Sequence, residues 1–176
     1  MQPKNVQSVI AVGKNFEYTL FQIAISLAEN GLQIWFISPE KFEKPPKDIK
    51  TPDKEILQLI TFMYLKDYKD LIIHLNGIHL WRKTPNVIIL SGFENYCNLS
   101  STDYKPVQAA LIMTSLLDSA AVCAVKNNEK VNVLVACAEL TEGKEKLQII
   151  KDLYFLNYIL KSEDDEFFNS VVQLLK

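Results

Sequence analysis

VQSVIAVGKNFEYTLFQIAISLAEN, residues Val6 to Asn30, decides the fold. Val6 to Val12 (VQSVIAV) reads as a buried strand, and Tyr18 to Glu29 repeats its apolar residues at helical spacing, with Asn30-Gly31 as the stop. Between them lie Gly13, Lys14, Asn15, Phe16 and Glu17, where a nucleotide-binding α/β protein places a glycine-rich turn closed by Lys-Ser/Thr. Such a loop aims backbone N–H groups at phosphate and needs glycines, a lysine and a hydroxyl for magnesium. Here a single glycine is present and Lys14 comes too early. Phe16 takes the lysine position, and Glu17 takes the hydroxyl position. A carboxylate in the first helical turn complements the helix dipole and repels phosphate. The segment reads as a strand–turn–helix corner whose phosphate chemistry is vestigial.

Outward from this corner, short apolar runs alternate with longer periodic ones, which is the pattern of a mostly parallel sheet flanked by helices. Gln33 to Ile37, Ile60 to Leu65, Val87 to Leu90 and Val131 to Ala136 are expected strands. Asp67 is the expected N-cap of a helix from Tyr68 to about Leu80, and Pro106 opens a long helix to about Val125, ended by Asn127-Asn128. Residues 38–54, rich in lysine, proline and acid, read as a solvated loop, with Asn98 to Lys105 a polar connection. In the tail, Tyr154 to Leu160 fits strand or helix. Phe167, Phe168, Val171, Val172, Leu174 and Leu175 fall at helical spacing but are β-rich, and a strand pair over this tail (through 161–176) is the favoured reading. No domain boundary interrupts 1–176.

The 176 residues are 48% hydrophobic and 23% charged, with net charge −2, so no global basic field announces a nucleic-acid binder. A chain of this length buries about two-thirds of its unfolded surface as one domain. Cys97, Cys123 and Cys137 are far apart and only two histidines occur, which argues against a disulfide framework or a zinc site and fits a reducing compartment. The apolar stretches read as strand-sized or interrupted by charge, so no membrane span is expected, and MQPKN shows no leader.

The strand that should carry a magnesium-holding aspartate, Val87-Ile88-Ile89-Leu90, runs instead into Ser91-Gly92. Glu94 could reach a metal but more often such a residue caps a turn. Glu139, after the fifth strand, sits where sheet-top residues meet ligands, although Thr141 and Gly143 make an ordinary turn as reasonable. His74 and His79, five apart, do not share a helix face. No GxSxG and no GxGxxG occur. For nucleic acid the candidates are Lys41, Lys44, Lys47, Lys50 and Lys54, interleaved with acids, and Trp81-Arg82-Lys83, which joins an aromatic to two cations.

The stretches TLFQIAISLAENGLQIWFISP (Thr19 to Pro39), ITFMYLKDYKDLIIHL (Ile60 to Leu75), VIILSGFENYC (Val87 to Cys97), QAALIMTSLLDSAA (Gln108 to Ala121) and VNVLVACAE (Val131 to Glu139), in their order and spacing, resemble the RecA-type recombinase core. More narrowly they look like the recombinase paralogues of the Shu complex, which partner a SWIM-type zinc-finger protein. The resemblance covers roughly residues 6 to 160. It implies a RecA-like α/β fold of the P-loop NTPase type, a nuclear role in homologous recombination and DNA repair, assistance to recombinase filament assembly, and binding of single-stranded DNA by the complex. In that frame Ile10 to Glu17 is the Walker A segment and Ser91 stands at the Walker B acid. Both depart from the ATPase pattern, so no catalytic residue, cofactor or metal is expected. The same residues leave two other readings open: a weak ATPase with Lys14 reaching phosphate, and an unrelated doubly wound α/β protein with a small-molecule site at its switch point.

Overall fold

The computed structural model describes residues 3–41, 51–161 and 165–176. Six strands form one all-parallel sheet: β1 (Val6–Gly13), β2 (Ile34–Ser38), β3 (Ile60–Tyr64), β4 (Val87–Leu90), β5 (Val131–Ala138) and β6 (Asn157–Leu160), in the order β3-β2-β4-β5-β1-β6. The helices are α1 (Phe16–Glu29), α2 (Lys54–Leu57), α3 (Tyr68–Asn76), α4 (Phe93–Cys97), α5 (Pro106–Asn127), α6 (Lys144–Tyr154) and α7 (Asp165–Leu175).

Strand residues alternate between two cores, and this is why the central strands read as continuous apolar runs. Ile10, Trp35, Ile88, Leu90, Val133 and Val135 face α3, α4, α5 and α6 on one side. Val9, Ala11, Phe36, Ile89 and Leu134 face α1 and α7 on the other. The α/β class expected from the sequence is therefore observed, with both sheet faces covered.

Local signals explain most element ends. The Asp67 carboxylate accepts from the Lys69 and Asp70 N–H groups at 2.9 and 3.0 Å, capping α3, and Asn128 ends α5 in the left-handed region. The helix expected to reach Leu80 stops at Asn76, and Ile78–Leu80 continues as a 3-10 turn. The first helix begins at Phe16, two residues earlier than its apolar spacing indicates.

The tail corrects the sequence reading. Its first half is strand β6, but residues 165–175 form a helix rather than the second strand of a pair. Phe167, Val171 and Leu175 recur every fourth residue and are buried against α1. The carbonyl of Leu175 accepts from Asn132 Nδ2 at 2.8 Å, pinning the helix end to β5. Helical spacing prevailed over β-rich composition because packing decides such segments. A second correction concerns α5: its 22 residues are long and apolar enough to cross a membrane by length and composition. Its Ile112, Met113, Leu116 and Ala120 are fully buried on the sheet, the setting of a core helix. The short helices α2 and α4, and α6 after Gly143, were not expected from the sequence.

Candidate functional site

A cleft of about 970 Å³ opens at the carboxyl ends of β1, β2, β4 and β5. Gly13, Asn15, Phe16 and Glu17 from the first turn line it, with Ser38, Glu40 and Lys41 after β2, Ser91, Gly92 and Glu94 after β4, and the end of β5. The fold thus brings the Walker A and Walker B positions of the sequence reading to one place, where open α/β sheets bind ligands.

The side chains there are occupied with the protein's own structure. Phe16, at the lysine position, is buried at 8% exposure and packs at a tilt against Phe167 of α7, ring centroids 6.0 Å apart and planes 56° to each other. The loop thereby contributes to the core instead of presenting a cation. Asn15 turns the chain into α1 through the left-handed region, φ 51°, without a side-chain cap. Lys14 leaves the cleft and pairs with Glu139 across the surface at 3.3 Å. Glu139 therefore serves as a partner for Lys14 at the sheet top.

A residue that the sequence reading missed governs the loop. Lys161, just beyond β6, donates its backbone N–H to the Val12 carbonyl at 2.8 Å. Its ammonium donates to the carbonyls of Lys14 and Asn15 at 2.5 and 2.8 Å and lies over the Phe16 ring. Gly13 is required because a Cβ there would run into the Cβ of Lys161. No local pattern announces this strap, since 147 positions separate Lys161 from Lys14.

On the other wall, Ser91 continues the ladder from β4 by donating its N–H to Ile37 at 2.9 Å. Gly92, at φ 73°, lets the chain turn where a Cβ would strike the Pro39 ring at 2.9 Å. Glu94 accepts from the Ala138 N–H at 2.9 Å and so ties α4 to the end of β5. Among the described lining residues, Glu17, Glu40 and Glu94 set against Lys41 give a net acidic balance. Among the described residues no group of three histidine, cysteine, aspartate or glutamate side chains could hold a metal. The thiols of Cys97 and Cys137 are pushed well up by burial and by the Glu94 carboxylate, and that of Cys123 is pushed up to about 12 by burial.

The candidate nucleic-acid contacts are not brought together. Lys41 stands at the cleft mouth over the Tyr64 ring, 5.9 Å from its centroid. Lys44, Lys47 and Lys50 lie outside the described residues, and Lys54 opens α2. Arg82 and Lys83 lie at the amino end of the sheet, in a polar hollow of about 560 Å³ shared with Gln33, Trp81, Lys126 and Asn127. Lys126 holds the preceding turn by donating to the carbonyls of His79 and Trp81 at 2.9 and 2.8 Å. His74 packs between Trp35 and Trp81, centroids 5.1 and 5.0 Å away, and burial lowers its pKa from the ordinary 6.5.

Among the described residues, the arrangement positions backbone and lines the cleft with carboxylates, and the loop's own lysine, Lys14, is paired with Glu139 outside it. No family model and no curated protein matches this sequence.

Proposed function

We propose that the chain is a non-catalytic, RecA-like subunit that works by binding: it pairs with a SWIM-domain zinc-finger protein in a Shu-type assembly and promotes recombinase loading on single-stranded DNA in the nucleus. The single observation that carries the non-catalytic reading is Phe16. At the position that would hold the phosphate-binding lysine, the side chain is built into the core against Phe167. The acidic lining of the cleft supports it, because three carboxylates disfavour a triphosphate at the one place where this sheet would take it. The all-parallel sheet is compatible with a RecA-like core. The recombination role and the partners come from the resemblance of the quoted stretches.

Calorimetric titration with ATP and magnesium is expected to give no heat of binding. Micromolar binding together with turnover would overturn the reading in favour of a weak ATPase, for which the open cleft leaves room. Co-expression with a SWIM-type zinc-finger protein is expected to give a stable complex on size exclusion, and separate elution with recombinase foci unaffected by loss of the chain would defeat the recombination role.

A further inference from the structure

Among the described residues, the last strand of the sheet has no strand on its outer side. β6 pairs with β1 on one side only and ends the strand order. The Lys161 N–H bonds inward to Val12, so strand alternation turns the N–H and C=O groups of Tyr158 and Leu160 outward. Edge strands are normally blunted by charge, proline or a bulge. β6 (NYIL) carries no charge or proline; Ile159 packs on the α1 side, while on the other face Leu156 just before the strand is 78% exposed, Tyr158 43% and Leu160 65%. At the opposite edge, β3 exposes among its large apolar residues only Tyr64, which lies under Lys41.

We propose that β6 and the neighbouring groove receive an extended strand of another polypeptide, apolar at alternate positions and acidic at its flanks. The backbone ladder demands a strand, because only a strand satisfies outward N–H and C=O groups in register. The groove between α6 and β6, about 250 Å³, gives the alternate side chains a seat on Leu147, Tyr158 and Leu160. Its charge selects the flanks. Lys144 and Lys151 line it, the Lys151 ammonium lies 3.3 Å from the Tyr158 ring centroid, and Glu139, the one carboxylate lining it among the described residues, is engaged by Lys14. A second copy docked by the same edge would bring these lysines toward their own counterparts, whereas acidic flanks complement them. The inference rests on the proposed function only in taking the chain to work by binding a protein.

The test uses the full chain and two fluorescein-labelled peptides of alternating valine and threonine, one flanked by aspartates and one by lysines. The acidic peptide is expected to bind about tenfold more tightly by anisotropy and to slow amide exchange at Tyr158 and Leu160. Tyr158→Pro removes one outward donor without touching the β1 ladder, and Leu160→Glu places a carboxylate in the groove, against both its apolar seat and the acidic flanks. Each is expected to weaken binding about tenfold or more. Leu160→Glu alters only an exposed side chain and decides the matter if the proline variant fails to fold. Equal binding of the two peptides, or binding indifferent to both variants, overturns the proposal. So does a wild-type homodimer dissolved by the same variants, which assigns the edge to a second copy. Either failure with the SWIM-protein complex intact removes the edge site and leaves the proposed function standing.

Discussion

The two ends of the sheet differ in charge and in what their side chains are used for. At the carboxyl end Glu17, Glu40 and Glu94 surround the cleft, Phe16 turns inward, and Lys161 is spent on loop carbonyls. At the amino end Arg82 and Lys83 are exposed beside Lys126, with no carboxylate among the described lining residues. A parallel sheet ordinarily takes anionic ligands at its carboxyl end, where helix amino termini converge. In this molecule the cations at the carboxyl end, apart from Lys41, are engaged with the protein itself, while exposed Arg82 and Lys83 lie away from the position the fold prepares for phosphate. The degenerate loop is thus a reassignment of each side chain to structure, which goes further than the deletion of a motif.

The largest effect is expected at Phe16. Replacing a buried phenylalanine by alanine costs about 3–5 kcal/mol, and Phe16→Lys at least as much because it also buries an ammonium beside Phe167. Urea unfolding checks this. Phe16→Lys with Glu17→Thr rebuilds the side chains of a phosphate loop, and the contrast between the two ends predicts a destabilised protein that still does not bind ATP. A stable double variant with micromolar ATP affinity would break the contrast, showing that only two side chains separate the cleft from a working site.

The amino end is tested by charge. In the proposed recombination role, single-stranded DNA touching this chain meets Arg82 and Lys83 before it meets the acidic cleft. Arg82→Glu with Lys83→Glu is expected to weaken oligothymidylate binding by the complex and to reduce the slope of log affinity against log salt by about 0.7 for each phosphate no longer neutralised. Lys41→Glu, at the acidic end, is expected to leave that slope unchanged. The opposite ranking would move the DNA contact to the cleft mouth.

Much of the architecture was legible because the strands are buried on both faces. Val87 to Leu90 and Val131 to Ala136 need no alternation to be recognised, and the Asp67 and Pro106 signals mark their helix starts. The five residues of α4 were not legible, since one turn and a half shows no periodicity and its ends are set by left-handed Gly92 and Asn98. α6 was missed because only Leu147 and Ile150 of its eleven residues are buried in a polar stretch. The tail helix was visible in the spacing of Phe167, Val171 and Leu175 and was obscured by their β-branched neighbours. At the site, the missing lysine, hydroxyl and acid could be read locally. What replaced them could not, because Lys161, Phe167 and Ala138 reach the loop and Glu94 only through the tertiary fold.

The smallest expected effect lies beneath the basic end and follows from His74. Its ring is packed between Trp35 and Trp81, and the Nε2 atom is buried without a hydrogen-bond partner. Burial lowers its pKa below the ordinary 6.5, so the folded chain keeps the neutral ring while the unfolded chain takes up a proton. Where the unfolded state binds more protons, stability rises with pH. The contribution is therefore complete above about pH 6.5 and is lost as pH falls from there through the folded pKa, at no more than about 1.4 kcal/mol per pH unit for one proton. Urea midpoints between about pH 7.5 and about pH 5 measure it, and His74→Phe, which keeps an aromatic ring between the two indoles, is expected to remove this part of the slope. Because Trp81 directly precedes Arg82, protonation that loosens the stack also loosens the seat of the cationic pair. A slope identical in wild type and His74→Phe would show that the amino end is as indifferent to protons as the core above it.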